Sequence, residues 1–447
     1  MGQIQSNFSE LREQTQRLIG QIKPVSNLFK VFELMGNWKS VNIIRLADYI
    51  NGFGFKPIHW RKEGLPIVRI EQLKNPDSKY DYCSIQIPEK NTIDYGDLIF
   101  SWSASLFLKI WDREKAALNQ HLFKVIPNEE TDKLFLKYLL EYNLEELTKA
   151  AHGSTMQHIT RKELAQFKAY IPEDKPEQTR IAEILSTADE TIAHTEALIA
   201  KYQRIKTGLM QDLLTKGIDE KGNIRSKATH KFVVKNGIEV PEEWEVVKLI
   251  DCVDKSTIIT YGIVQTGLHV VDGVRVLRTV DLQKDKIESS NLLRTTEEIS
   301  NSYKRTILKK FDLVCNVRAS VGDFNIIDDD DLVGCNTTRG VARISPKKEI
   351  NPYYLLWFLR SERNTKQMEL LIKGTTFIDI NIADLREIWI PIPNNKSEQD
   401  KIAEKLIQIT DTLQDYNRQL LKLQSLKTGL MQDLLSGKVR VNINNKN

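Results

Sequence analysis

The sequence predicts a mixed α/β (α+β) fold. It reads as two similar globular domains separated by two long antiparallel coiled-coil helices, with a pseudo-two-fold internal repeat. Three observations lead there. Lys206-Thr-Gly-Leu-Met-Gln-Asp-Leu-Leu214 recurs as Lys427–Leu435, 221 positions later, and nine identities at one offset mark a duplicated unit. Around each copy, apolar residues recur with a seven-residue period. Ahead of each lies a stretch of short β-rich runs and short helices, where the echo loosens and offsets drift between 206 and 219.

The chain then parses in order. Residues 1–35 read as an N-terminal helical extension, and 36–172 as the first globular domain. Next come a first spacer helix (173–216) and a polar connector rich in Lys and Arg (217–237). A second globular domain (238–393), a second spacer helix (394–436) and a tail (437–447) complete it. The first domain carries β-rich runs at Leu65–Leu73, Leu98–Trp102 and Leu122–Ile126. The second carries them at Val274–Leu282, Leu313–Val317 and Gly340–Ile344. Helices are expected at Asp132–Leu147 and Pro352–Ser361, with a further short one after Thr160 and after Asn381. The 221-residue offset also maps Glu177-Gln178 onto Glu398-Gln399 and Ile171-Pro172 onto Ile392-Pro393, and Asn37-Trp38 echoes Glu243-Trp244.

The spacer helices follow from a 4,3 spacing. In the first it runs through Ile181, Leu185, Ala188, Ile192, Thr195, Ile199, Tyr202, Lys206, Leu209 and Leu213. In the second it runs through Ile402, Leu406, Ile409, Leu413, Tyr416, Leu420, Leu423, Lys427, Leu430 and Leu434. Sustained heptads of this kind define a coiled-coil seam. Pro176 sits at the start, where a missing amide proton costs little. Lys206 and Lys427 hold matching seam positions, and a polar seam residue sets register.

Composition narrows the function. Of 447 residues, 28% are charged and 41% hydrophobic, enough for two to four ordinary domains. No apolar run approaches the roughly 18 residues a membrane span needs, and the charged stretch Met1–Phe32 lacks a signal-peptide core. Cys83, Cys252, Cys315 and Cys335 lie far apart with no CxxC pair, which points to reduced thiols in a cytoplasmic protein.

No reaction centre stands out. The P-loop and GxSxG patterns are missing, and no histidine pair has metal spacing. Gly52-Phe-Gly54 reads as a turn and Asp328–Asp331 as an acidic surface loop. Asn351-Pro-Tyr-Tyr354 resembles the loop with which amino-methyltransferases hold a base, but it lacks the second proline and a glycine-rich cofactor strand. A helix cap with a first-turn proline explains it better.

Binding chemistry is present at matching places. Lys56, Arg61 and Lys62 have Tyr261 and Gln265 as counterparts in the second repeat. Ser101-Trp-Ser103 corresponds to Asn316-Val-Arg318. Asn119-Gln120-His121 corresponds to Asn336-Thr337-Thr338-Arg339. Ser154, Thr155, Gln157 and His158, after Gly153, correspond to Thr375 and Thr376, after Gly374. Asn, Gln and Arg pair bidentately with adenine or guanine edges, so equal positions bearing different side chains suit two different base sequences. Between Gly36 and Ile171 there are 19 basic and 17 acidic residues, and between Ile238 and Pro391 there are 21 and 24. Neither domain is basic as a whole, so contact with double-stranded DNA requires charge gathered on one side.

Over nearly its whole length the sequence resembles the specificity subunit of a Type I restriction-modification enzyme. The resemblance is carried by Ile171-Pro172 with Glu177-Gln-Thr-Arg-Ile-Ala-Glu183 and by the twin Lys-Thr-Gly-Leu-Met-Gln-Asp-Leu-Leu segments. Gly217–Arg225 leading to Pro241-Glu-Glu-Trp-Glu245, and Leu435-Ser-Gly-Lys-Val-Arg-Val441, add to it. It implies two target recognition domains held apart by the helix pair, each reading half of a bipartite site. It implies no catalysis and no cofactor in this chain. The implied partners are two methyltransferase (modification) subunits using S-adenosylmethionine and restriction subunits using ATP, with no membrane. Two rivals are a stand-alone DNA methyltransferase built on Asn351–Tyr354 and a coiled-coil scaffold that binds only protein.

Overall fold

A computed structural model of the chain describes residues 22–23, 37–75, 77–150, 158–283, 286–372 and 379–441. The fold divides into two compact units. Unit 1 joins Met1–Ala197 to Asn417–Asn447, and unit 2 is Leu198–Tyr416.

The duplication predicted from the sequence is realised strand by strand. In unit 1, Ala47–Asn51, Leu122–Pro127, Leu98–Ser101 and Phe107–Ile110 form an antiparallel sheet in that spatial order. In unit 2, Thr260–Tyr261, Val341–Ile344, Leu313–Asn316 and Phe324–Ile326 repeat the order. Leu98–Ser101 and Leu313–Asn316 are buried at every position, which is why both read as unbroken apolar runs. A parallel pair lies alongside: Leu65–Val68 with Ala116–Leu118, and Val274–Leu277 with Asn336–Thr337. A third ladder closes each domain, Trp38–Asn42 on Lys168–Pro172 and Trp244–Lys248 on Trp389–Pro393. Its last residues, Ile171-Pro172 and Ile392-Pro393, lead into the long helices.

Those helices span Lys175–Leu213 (39 residues) and Lys396–Leu435 (40 residues), each about 60 Å at 1.5 Å per residue. In unit 1, Ile181 and Leu185 share a core with Leu430 and Leu434, and Lys427 Nζ meets Asp189 Oδ1 at 2.5 Å. In unit 2, Leu213 shares a core with Ile402 and Leu406, and the Tyr202 and Tyr416 rings lie 5.3 Å apart. Within each unit, residue numbers rise on one helix as they fall on the other, so the pair is antiparallel. The seam drifts by one residue in its middle. Ile192 and Ile199 are half-buried, while Thr191, Thr195 and Leu198 are buried. Ile409 and Leu420 also sit half-buried at the flank. A straight helix falls behind a strict seven-residue repeat, and small threonines fill the line where the isoleucines rotate outward. Lys427 reaches across to Asp189 as a register residue should, whereas Lys206 lies over the Trp357 ring at 4.9 Å.

Each long helix begins at a matched junction. The Trp38 indole donates to Glu177 Oε1 (3.3 Å), and Arg440 clamps the same carboxylate through Nε and Nη2, both at 2.6 Å. In unit 2 the Trp244 indole donates to Glu398 Oε1 (3.3 Å), and Arg225 clamps Glu398 through both terminal nitrogens. The neighbouring glutamines bind the globular domains: Gln178 Oε1 accepts from the Asp132 amide (3.0 Å) and Gln399 Oε1 from that of Asn351 (2.8 Å). The repeated Glu-Gln dipeptide is therefore structural. Arg440 and Arg225 lie just beyond helix-ending glycines with positive φ, Gly437 and Gly217, where any side chain would be strained. A Cβ on Gly217 would meet Glu398 Oε1 at 2.3 Å and Trp244 at 2.4 Å.

Several element boundaries differ from expectation. The runs Leu65–Leu73 and Val274–Leu282 are strands only to Val68 and Leu277. Gln72 and Asp281 accept hydrogen bonds from the amides of Arg69 and Arg278 (3.1 and 2.8 Å), starting helical turns at Ile70–Lys74 and Thr279–Leu282. The helix expected over Asp132–Leu147 divides into Lys133–Tyr142 and Leu144–Ala150 at Asn143, whose side chain bonds Leu139 O. The helix expected over Pro352–Ser361 ends at Leu359, and a second helix, Glu362–Leu371, follows it, capped by Ser361. Of the extension at 1–35, only Ile22–Lys23 is described. It is a strand paired with Arg440–Val441 rather than helix, and the remainder lies outside the described residues.

Candidate nucleic-acid interface

The loops singled out in the sequence converge at one end of the equivalent sheet in each unit. In unit 1, Phe53 bridges to Asn119 and Ser103 to His158. Trp102 packs between these loops, its ring 6.0 Å from His121, 5.7 Å from His158 and 5.5 Å from Phe123. In unit 2, Ile263 bridges to Thr338 and Arg318 to Asp379, and the Val317 amide bonds Gly340 O at 2.9 Å. The same crossing demands glycine in both. A Cβ on Gly52 would lie 2.2 Å from Asn119 O, and one on Gly262 would lie 1.9 Å from Thr337 O. Gly52 is thus a close-approach residue.

The loop tip is strained identically. Ala104 and Ala319 stand at corresponding positions with φ of 59° and 64°, a left-handed conformation that costs a residue with a Cβ about 1–2 kcal/mol. Strain of this kind gathers at functional sites. Unmet hydrogen-bonding capacity gathers there too. Trp102 Nε1, Gln120 Oε1 and His158 Nδ1 in unit 1, and Asn316 Oδ1 and Thr337 Oγ1 in unit 2, are buried without a partner among the described residues, where native proteins leave few such atoms.

The sequence-predicted residues divide into two groups. Lys56, Arg61, Lys62, His121, Tyr261, Gln265, Arg318 and Arg339 are exposed, and Gln120, His158 and Thr338 half-buried. Ser101, Ser103, Asn119, Asn316, Asn336 and Thr337 are buried, which corrects their reading as base contacts. Four of them hold the loops through their side chains. Ser101 Oγ donates to Ser105 O (2.5 Å), and Asn119 Oδ1 accepts from the His121 amide (3.3 Å). Asn316 Nδ2 donates to Thr279 O (2.9 Å), and Asn336 Nδ2 donates to Ser300 Oγ (3.0 Å) while its Oδ1 accepts from Thr306 (2.7 Å). Polar residues at strand ends are claimed first by nearby backbone groups. Ser154, Thr155, Gln157, Thr375 and Thr376 lie outside the described residues. The described residues Ile159 and Ile380 meet the same tips, the Ile159 amide bonding Trp102 O (3.0 Å) and that of Ile380 bonding Val317 O (2.9 Å).

Sequence reasoning missed the exposed apolar side chains Ile58, Trp60, Val264, Leu268 and Val271, for which burial was the natural expectation. The decoys resolve locally. Asn351 Oδ1 caps its helix through the Tyr354 amide (3.0 Å), and the Tyr354 hydroxyl donates to Pro391 O (2.8 Å). In the acidic loop, Asp329 caps a helical turn, and Lys310 pairs with Asp330 at 2.6 Å. Among the described residues no group of three His, Cys, Asp or Glu could hold a metal ion, and no helix is long and apolar enough to cross a membrane.

Comparison with known proteins adds to this geometry. The family model described as Type I restriction modification DNA specificity domain matches twice, over residues 35–204 and 241–424. The chain is 25% identical over 423 residues to the EcoBI specificity subunit of Escherichia coli, covering 92% of this chain and 88% of that one. It is 28% identical over 418 residues to the MjaVIII specificity subunit of Methanocaldococcus jannaschii, covering 89% and 93%. Its fold matches the crystal structure of the S subunit from M. genitalium with a TM-score of 0.58 at 16% identity, covering 89% of this chain and 96% of that one.

Proposed function

Because the chain belongs to the Type I restriction-modification DNA specificity family, we propose that it is the DNA-reading, non-catalytic subunit of such a complex in the cytoplasm. Each unit reads one half of a bipartite double-stranded DNA sequence with its loop cluster. The observation that carries this is the matched convergence: the same sheet end in both units gathers exposed cations, strained alanines and buried polar atoms without partners. Lys56, Arg61 and Lys62 supply phosphate contacts in unit 1, and Arg318 and Arg339 supply guanidinium forks in unit 2. Such forks suit guanine edges, while phosphate contacts give affinity that falls with salt.

The long helices contribute residues to both units, which suits a spacer between half-sites. A pseudo-two-fold chain offers equivalent faces to two copies of one partner. We assign these to two methyltransferase subunits, which bind S-adenosylmethionine, with restriction subunits adding ATP-dependent translocation and cleavage. The test is single-molecule sequencing for N6-methyladenine in cells expressing this chain with its methyltransferase. Methylation at a split sequence is expected, and methylation by the purified chain alone would overturn the non-catalytic assignment. Inserting one heptad in both helices adds about 10 Å. The mapped spacer should lengthen by about three base pairs at 3.4 Å each, with both half-sequences unchanged. An unaltered spacer removes the ruler.

A further inference from the structure

The two loop clusters are chemically unlike, and the difference lies in the loop that crosses each sheet end. In unit 1 that loop carries Lys56, Arg61 and Lys62 around the exposed Ile58 and Trp60. In unit 2 it runs Tyr261-Gly-Ile-Val-Gln-Thr-Gly-Leu-His-Val-Val-Asp-Gly273, without a single Lys or Arg. Instead it displays aliphatic side chains to solvent. Leu268 is 90% exposed, Val271 76% and Val264 47%.

This display is built, not slack. The Ile263 amide donates to Thr337 O (2.7 Å), and the Arg339 amide donates to Ile263 O (2.8 Å). The loop's far side is tied by Thr295 Oγ1 to Thr266 O (2.7 Å) and by the Arg294 amide to His269 Nδ1 (3.3 Å). Gly273 passes so close to Thr295 that a Cβ there would lie 2.2 Å from its carbonyl oxygen. A loop pinned at both ends holds its apolar side chains in place before binding, so little ordering is required when a partner arrives. The Ile263–Arg339 hydrogen bond also makes this surface continuous with the cationic tip formed by Arg318 and Arg339.

Resting on the DNA-reading function above, we infer that Val264, Leu268 and Val271 read thymine 5-methyl groups in the major groove of the half-site held by unit 2. The 5-methyl is the apolar feature of the major-groove base edges, and it is the chemistry that an aliphatic side chain beside an arginine fork matches. Unit 1, with its lysines in the corresponding loop, takes its half-site with more reliance on phosphates.

The experiment uses the full chain with its methyltransferase subunits and duplexes carrying the mapped site. Each thymine is replaced in turn by deoxyuridine, which removes the methyl and keeps every hydrogen bond. In one half-site, at least one replacement should weaken binding about four-fold, the equivalent of the roughly 0.8 kcal/mol that a buried methylene is worth. Leu268→Ser should abolish that sensitivity, and Leu268→Met should retain it. Site-selective binding that ignores every deoxyuridine overturns the inference and leaves the DNA-reading function intact. Loss of methyltransferase association in Leu268→Ser, measured by co-purification, makes the loop a protein contact and also overturns it. Absence of any site-selective binding removes both.

Discussion

Arg225 is the residue whose loss should be felt most sharply. Its guanidinium and the Glu398 carboxylate are 8% and 10% exposed. Burial pulls the guanidinium pKa down, but the hydrogen bond and charge of Glu398, with the charges of Glu243 and Asp219, together outweigh it, and the balance is a raised pKa. In Arg225→Ala the Glu398 carboxylate keeps only the Trp244 indole at 3.3 Å and the Ile218 amide at 3.0 Å. Removing one partner of a buried pair costs about 3–5 kcal/mol. At about 2–4 °C per kcal/mol for a unit of this size, the lower figure corresponds to a fall of about 6–12 °C in the unit 2 midpoint by calorimetry. Hydrogen exchange should localise the damage to residues 214–218 and 240–246, leaving unit 1 amides alone. Lys227→Ala is the control. Its pair with Glu239 is 71% and 49% exposed and is worth under about 1 kcal/mol. Replacing both partners, Arg225→Met with Glu398→Leu, should recover only part of the loss, since it removes the buried charge but leaves the Trp244 indole and the Ile218 amide without their acceptor. If Arg225→Ala melts no lower than Lys227→Ala, the clamp does not hold the unit together.

Two further outcomes are expected. Ala104→Gly and Ala319→Gly should each stabilise the chain by about 1 kcal/mol, because glycine adopts their left-handed φ without a Cβ penalty; thermal melting measures this, and a lower midpoint would show that the methyl packs usefully. Burial raises the Cys252 thiol to about 12 and the Cys335 thiol to about 11, so both stay protonated in the fold at pH 8.5. Iodoacetamide followed by mass spectrometry should label them only in denaturant. Since the folded pKa exceeds the unfolded 9.0, their contribution to stability is complete below about pH 9 and is lost as pH rises toward 12.

The duplication and the helix pair were legible because nine identical residues and two heptad runs are local patterns, independent of any distant contact. The central strands were legible because Leu98–Ser101 and Leu313–Asn316 are buried on both faces. The clamp was half visible. Glu177 maps onto Glu398, and Trp38 echoes Trp244. Arg440 and Arg225, however, sit three and eight residues beyond Gly437 and Gly217, so no single offset relates them, and only folding brings each arginine to its glutamate. The loop polarity at the interface misled for a related reason. A sequence shows that Asn316 and Asn336 can offer hydrogen bonds, but not that Thr279 and Ser300 have already taken them.

The clamps also bear on how the chain is made. Everything that unit 2 requires lies in one contiguous stretch, Leu198–Tyr416, so it can close as soon as that stretch has left the ribosome. Unit 1 cannot. Its Glu177 waits for Arg440, and Ile181 and Leu185 wait for Leu430 and Leu434. The half synthesised first is the half completed last, and until Leu430 to Arg440 have emerged its apolar helix face stands open to chaperones and to neighbouring nascent chains.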